Sequence, residues 1–483
     1  MGDLNAKILC PHTETAVSGD DAATFRKGAV GAATGILTSD ITKAKMLKKE
    51  GKKVIFLIDD YVPEHTHQIT DMDGLVVKGK GASHLAILCQ NFAIPAVFGL
   101  DGGEIPREGD EVTISRFPQW NLTKGGVAIK PPDAEYFQEI TKDADAKRRQ
   151  HPNGIKVFAN ASSAKEIERA IALGAEGIGL VRTEFFIRDN ADLKTIKELL
   201  LTKRRPNQKI LDSFEETQYW ESRKLFAAAN KKNGGLPMLV RLFDPPYDEL
   251  LDDAARKNFE TSHPDEMDTR RGVQWAETLS GLYKAQVRAI LDAAKDEGYR
   301  GALTLMVPHV ESQEEMQQVR DILGETNHRV KLFAVIESYK GAREARKIAS
   351  MADGILVAAS DLTAEVIGCD RSNEQGIKDW MDKNNAPNPF QSLSQPVCAV
   401  IETIVSEARK TNPHMLFTTP SAQVAGDAKS IGFCNGQGFD SVSVPATHEC
   451  IASTKFLASV MDKASQEMRK ALHVENNVSQ NVR

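Results

Sequence analysis

Residues 155–183 read IKVFANASSAKEIERAIALGAEGIGLVRT. Two apolar runs, IKVFANA and GIGLVRT, flank SAKEIERAIALGA, whose apolar residues recur at helical spacing. A strand, a helix and a second strand in that order make a crossover unit, which pairs its strands in parallel. The rhythm continues to the end of the chain. MLVRLFD, LTLMVPHV, KLFAVIES, GILVAAS, HMLFTTPS and DSVSVPA complete a set of eight strand-like runs, and YKAQVRAILDAAK, EEMQQVRDIL, YKGAREARKIASMA and VCAVIETIVSEARKT supply helical spacing between them. Eight alternations over some 300 residues fit a (β/α)8 barrel, with extra length in insertions at 188–235 and 245–285. An open doubly wound sheet also alternates, so the barrel reading rests on the count of eight.

The chain has 483 residues, 41% hydrophobic and 27% charged, enough for more than one core. A formal charge of −6, with no long basic run and no interleaving of basic and aromatic residues, argues against a nucleic-acid partner. The six cysteines form no CxxC pair and fit reduced thiols in a cytoplasm. The start MGDLNAKILC lacks the layout of a signal peptide, and no apolar run approaches the about 18 residues of a membrane helix. A cytoplasmic protein with no membrane partner is the expectation.

Ahead of the alternating region, residues 20–130 carry short apolar runs such as KKVIFLIDD, GLVVKGKG, IPAVFG and DEVTISRF between Gly-rich turns. That is the pattern of a compact α+β domain. The expected organisation is a tail at 1–19, this domain at 20–130, a linker helix at 131–152 bounded by prolines, the barrel at 153–465, and a tail at 466–483.

Barrel enzymes carry their chemistry at the C-terminal ends of the strands. The polar residues ending the runs are Asn160, Arg182 with Glu184, Arg241 with Asp244, His309, Glu337, Ser360 with Asp361, and Ser421. Arginine forks clamp phosphate or carboxylate oxygens. Mg2+ takes one or two protein carboxylates and leaves its other positions to substrate and water. The chemistry expected at this rim is a small anion held through arginines and a divalent cation.

GKGASHLAILCQNFAIPAVFG (79–99) resembles the phosphohistidine swivelling domain of the phosphoenolpyruvate-utilising enzymes, a family that includes pyruvate phosphate dikinase, phosphoenolpyruvate synthase and enzyme I of the sugar phosphotransferase system. GAEGIGLVRTEFFI, VRLFDPP, AVIES, ASDLTAEVIGCDR and GFDSVSV resemble, in order, the stations of that family's phosphoenolpyruvate-binding barrel. The resemblance implies an α/β protein in which a swivelling β/β/α phosphohistidine domain precedes a (β/α)8 TIM barrel. It implies that His84 carries a phosphoryl group, that Arg182 and Arg241 hold phosphoenolpyruvate with Arg371 as a further phosphate contact, and that Glu337 and Asp361 hold Mg2+ or Mn2+. A helix start behind glycines suits a phosphorylated imidazole, because free N–H groups and the helix dipole favour the anion. The family also implies a homodimer through the barrel.

Against the family pattern, several positions depart. TSH reads Ala82-Ser83-His84, the asparagine before the metal aspartate is Ser360, and RGxR reads Arg271-Gly272-Val273-Gln274. The cysteine that protonates the enolate, in a motif of the type CGQxxSD, aligns with Ser421 in SAQVAGD; a hydroxyl is a far weaker acid than a thiol of pKa about 8.5. Cys434 falls within a helical pattern and is expected in the core. Residues 1–20 leave no room for a nucleotide-binding domain, so a separate phosphoryl donor or acceptor is expected. Two readings follow: an active phosphotransferase, or a catalytically degenerate relative serving as a ligand-binding or protein-interaction module.

Overall fold

Two closed β-sheets organise the computed structural model, which describes residues 21–29, 33–59, 69, 71–79, 89, 94–115, 121–124, 146, 154–187, 195–196, 206–244, 272–324, 330–369, 371, 373–421, 423–425, 427–447 and 450–460. The first sheet contains β1 (Asp21–Ala29), β2 (Ala33–Thr38), β3 (Val54–Ile58), β4 (Gly74–Val77), β5 (Ala96–Gly103), β6 (Glu111–Ser115) and β7 (Asn121–Lys124) in the order β1-β5-β4-β3-β2-β6-β7. Strands β2 to β5 are parallel; β6, β7 and β1 join antiparallel and close the ring through β1 and β7. Residue alternation sorts its apolar side chains onto two faces. Leu37, Ile55, Val76, Val97, Val112 and Ile114 cluster together inside. Val54, Phe56, Ile58, Leu75, Val77, Ala96 and Phe98 face outward under Ile41, Ala44 and Leu47 of the helix Ile41–Lys49. The Asp40 carboxylate caps that helix by accepting from the Thr42 and Lys43 N–H groups.

The second sheet holds eight parallel strands: β8 (Lys156–Asn160), β9 (Ile178–Arg182), β10 (Met238–Arg241), β11 (Leu303–Val307), β12 (Lys331–Ile336), β13 (Gly354–Val357), β14 (Leu416–Pro420) and β15 (Ser441–Pro445). Each pairs with its successor and β15 pairs with β8, so the sheet is the expected (β/α)8 barrel rather than an open one. Phe158, Leu180, Leu239, Met306, Phe333, Val335, Leu356 and Ala358 form the inner apolar layer. The intervening residues, among them Val157, Val181, Val240, Ala334 and Ile355, belong to the larger core between strands and helices. Gly179 is required by close approach inside the ring, since a Cβ there would lie 2.4 Å from that of Ser443.

A carboxylate recurs just before the strands. Glu176, Asp353 and Asp440 accept from the backbone N–H of Val157, Leu332 and Phe417 respectively, each at 2.8 Å on the neighbouring strand. Asp73 makes the same contact with Val54 in the small domain. These clamps fix neighbouring strands in register at the end opposite the mouth.

Two segments differ from the sequence reading. The 188–235 insertion contains a 23-residue helix, Gln208–Asn230, which is the crossover between β9 and β10. The YKGAREARKIASMA segment divides into the short helices Tyr339–Arg343 and Ala345–Ile348. Cys434 is fully buried in the helix Ala428–Gly436, as its pattern indicated. Among the described residues no helix is long and apolar enough to cross a membrane.

Candidate functional site

Strand alternation carries the inner apolar layer directly into the site. Two residues beyond Phe158, Leu180, Leu239 and Val335 stand Asn160, Arg182, Arg241 and Glu337, so the same face turns polar at the C-terminal rim, and Ser360 lies in the first turn of the helix that follows β13. Arg182 and Arg241 are register partners on β9 and β10. The Arg182 N–H donates to Ser162 Oγ at 2.9 Å, and the Ser162 N–H donates to the Glu166 carboxylate at 2.7 Å, tying the turn after β8 to the end of β9. Ser163 and Glu166 close a reciprocal capping box at the start of the helix Ala164–Ala172. Burial pushes the Glu166 carboxyl up to about 7, despite hydrogen bonds from Ser162 and Ser163 that favour its charged form.

Arg241 lies between two carboxylates. Its guanidinium pairs with Glu184 and, at 2.9 Å, with Asp244, which is wholly buried. Underneath runs a buried amide network. Gln286 Nε2 donates to Thr183 Oγ1 and to Gln218 Oε1, both at 2.9 Å, while Gln286 Oε1 accepts from the Phe243 N–H at 2.8 Å. Thr183 Oγ1 donates to the Arg241 carbonyl at 2.9 Å, and the Tyr283 hydroxyl donates to the Phe243 carbonyl at 2.8 Å. Sequence reasoning missed Gln218, Tyr283 and Gln286. The available signal was a glutamine on the apolar stripe Leu282, Gln286, Ile290, Ala293, since an amide in that position needs buried partners.

At the next rim positions, His309 adopts a left-handed backbone, φ 50°, uncommon for a side chain other than glycine. Its ring lies between Glu311 and Glu337, each 3.6 Å from one nitrogen. Glu311 also accepts from Ser338 Oγ at 2.7 Å and Lys340 Nζ at 3.0 Å. Hydrogen bonding from His309, then Ser338 and Lys340, lowers its carboxyl to about 2. Gly272, φ 55°, sits against this strand end, where a Cβ would meet the Pro308 carbonyl oxygen at 2.5 Å. Arg271, its neighbour in the altered RGxR motif, lies outside the described residues, as does the side chain of Gln274.

Glu337 is buried at the end of β12, and Asp361 occupies the first turn of the helix Ala359–Ile367 after β13. Arg371 Nη2 stands 3.6 Å from Asp361 Oδ1. No group of three or more His, Cys, Asp or Glu side chains among the described residues is arranged to hold a metal ion. Two oxygen donors at the ends of adjacent strands, one buried and one half-exposed, nevertheless suit a hard cation whose remaining positions go to ligand and water.

Ser421 and Ser360 are brought together, their hydroxyl oxygens 3.5 Å apart. Ser421 donates to Gln423 Oε1 at 2.7 Å and accepts from the Gln423 N–H at 3.1 Å. Gln423 Nε2 in turn donates to Thr363 Oγ1 at 2.8 Å and to the Pro389 carbonyl at 2.6 Å. The structure thus places Arg182, Arg241, Glu337, Ser360, Asp361, Arg371 and Ser421 along the rim from β9 to β14, six of the eight strands. His84 and the segments 1–19, 466–483 and nearly all of 131–152 fall outside the described residues.

Two family models match the chain. One, described as the PEP-binding domain of PEP-utilising enzymes, covers residues 138–461; the other, described as the mobile domain of those enzymes, covers 50–116. Among known proteins, pyruvate, phosphate dikinase of Entamoeba histolytica is 27% identical over 473 residues, covering 86% of this chain and 52% of its own length. The proteins of the same name from Rhizobium meliloti and Clostridium symbiosum are 27% and 26% identical, again over 86% of this chain and over 50% and 52% of their own lengths. The chain therefore spans about half the length of the curated relatives it matches.

Proposed function

The chain belongs to the PEP-utilising enzyme family, and from that premise we propose that it binds phosphoenolpyruvate, or a related phosphorylated or carboxylated small molecule, and moves the phosphoryl group through His84 to or from a separate partner. The observation that supports this reading is the register pairing of Arg182 with Arg241 on the rim of the matched PEP-binding domain, where Glu337 and Asp361 follow strands β12 and β13 of the same barrel. Arg182 and Arg241 hold the ligand's phosphate and carboxylate, and Arg371 adds a phosphate contact by exchanging its Asp361 partner for the ligand. Ser360 completes the pocket wall. Glu337 and Asp361 would hold Mg2+ or Mn2+, which when bound supplies charge neutralisation to the transferring phosphoryl group. A ring nitrogen of His84 attacks phosphorus in line, the bond to the enolate oxygen breaks, and the enolate takes a proton at its terminal carbon to become pyruvate. Guanidinium charge at the rim stabilises the group in flight. Ser421 stands where that proton is delivered. The protein works in the cytoplasm as a homodimer paired through the barrel, with residues 20–130 swivelling about 131–152.

A specific observation favours the alternative reading, a relative that binds ligand or a partner protein without turnover. The Ser421 proton is committed to Gln423 Oε1, which leaves it poorly placed to serve as an acid. One experiment separates the two. Incubation with Mg2+ and phosphorus-labelled phosphoenolpyruvate is expected to leave an acid-labile label on the protein and none on His84→Ala; an unlabelled wild-type protein that still binds phosphoenolpyruvate selects the alternative.

A further inference from the structure

The adjacent phenylalanines of the turn Thr183–Phe186 go separate ways. Phe186 is 1% exposed within the barrel's own core. Phe185 leaves the barrel and packs against the outward cluster of the small domain, the group that contains Val54, Phe56, Met72 and Cys89. Its ring also lies 5.9 Å from the Arg182 guanidinium carbon, within reach of a cation–π contact. With Asn160, Ser162, Glu166 and Arg182 it walls a cavity of about 10 Å³, room for about one water. A single ring therefore touches the small domain on one side and the rim arginine on the other.

We propose that Phe185 is the docking residue that seats the small domain on the barrel mouth. The turn is built for this. Phe186 anchors it in the core, Thr183 ties it to the Arg241 carbonyl, and Glu184 pairs with Arg241, so Phe185 is presented on a fixed base beside the arginines. The residue is a positioning residue. It sets how often the small domain sits at the mouth while contributing no group to the ligand's reacting atoms.

The first test needs no ligand. Small-angle scattering on the full chain, at matched oligomeric mass, is expected to give a larger radius of gyration and a multi-body profile for Phe185→Ala, with Phe185→Leu close to wild type. A Phe185→Ala profile that superimposes on the wild type overturns the proposal. Should Phe185→Ala lose the wild-type circular-dichroism spectrum, Phe185→Gln carries the same comparison. The second test rests on the phosphoenolpyruvate reading above. Phe185→Ala is expected to bind phosphoenolpyruvate within about twofold of wild type while labelling of His84 slows at least about tenfold, and Phe185→Leu restores the rate. Undocking without any wild-type labelling leaves the docking role standing and removes the proposed function; wild-type labelling that Phe185→Ala does not slow removes the positioning role.

Discussion

Ser421 and Gln423 exchange two hydrogen bonds across a single intervening residue, hydroxyl to amide oxygen at 2.7 Å and backbone N–H to hydroxyl at 3.1 Å. A thiol is a weak donor, so Ser421→Cys frees that proton and supplies an acid of suitable pKa in nearly the same volume. Pyruvate release from phosphoenolpyruvate is expected to rise toward about 100-fold, the lower end for a positioned proton donor. No increase in a variant that still binds phosphoenolpyruvate would show that proton delivery is not what the serine changed.

Gln286 supports the end of β10 through three hydrogen bonds made wholly out of water. Gln286→Ala is expected to leave the Phe243 N–H and the Gln218 oxygen without these partners and to cost about 2–3 kcal/mol in urea unfolding. Because Phe243 and Thr183 fix the Arg241 backbone, phosphoenolpyruvate affinity should fall in the same variant while the barrel's circular dichroism persists. A stability within about 0.5 kcal/mol of wild type would exclude the amide from any structural role.

Glu337 and Asp361 are expected to bind one divalent cation between them. Calorimetric titration with Mg2+ or Mn2+ should give a single site that disappears in Glu337→Gln and weakens strongly in Asp361→Asn. Undiminished affinity in Glu337→Gln sinks the assignment.

Glu166 makes stability depend on pH in a direction opposite to most carboxylates. Burial raises its folded-state value from the ordinary 4.5 to about 7, so across that window the folded chain holds a proton that the unfolded chain has released. Its contribution is largest below about 4.5 and is lost as pH rises through about 7. Glu166→Gln keeps a capping-box acceptor at the same position, and its thermal midpoint should therefore vary less steeply than wild type over this range. Equal slopes would mean that the carboxyl titrates at its ordinary value in the fold.

Legibility in the sequence followed how strictly a segment alternates. Each barrel strand was visible because its faces have different jobs, an inner layer such as Leu180 and Leu356 and an outer core such as Val181 and Ile355. The same alternation placed Arg182, Arg241 and Glu337 at one rim. The helix Gln208–Asn230 was hidden because its buried face carries Gln218, Glu221 and Ser222 among Phe214, Leu225 and Phe226, which interrupts the apolar stripe. The closure of the small sheet through β1 and β7 was equally hidden, since partners about 100 residues apart leave no local mark. The convergence of Ser360 and Ser421 on Gln423 is a property of loop geometry after adjacent strands, which composition and spacing do not encode.

The carboxylates beneath the strands, Glu176, Asp353 and Asp440 in the large barrel and Asp73 in the small one, accept backbone protons at the end remote from the arginines. Fold identity is thereby written into one pole of the molecule and chemistry into the other. Ser360 and Ser421 take part in none of these four contacts, so change at the upper rim and persistence of the scaffold are separable events. A search for partners or ligands of this chain is best led by what its upper rim now holds, because the lower rim would look the same whatever the answer.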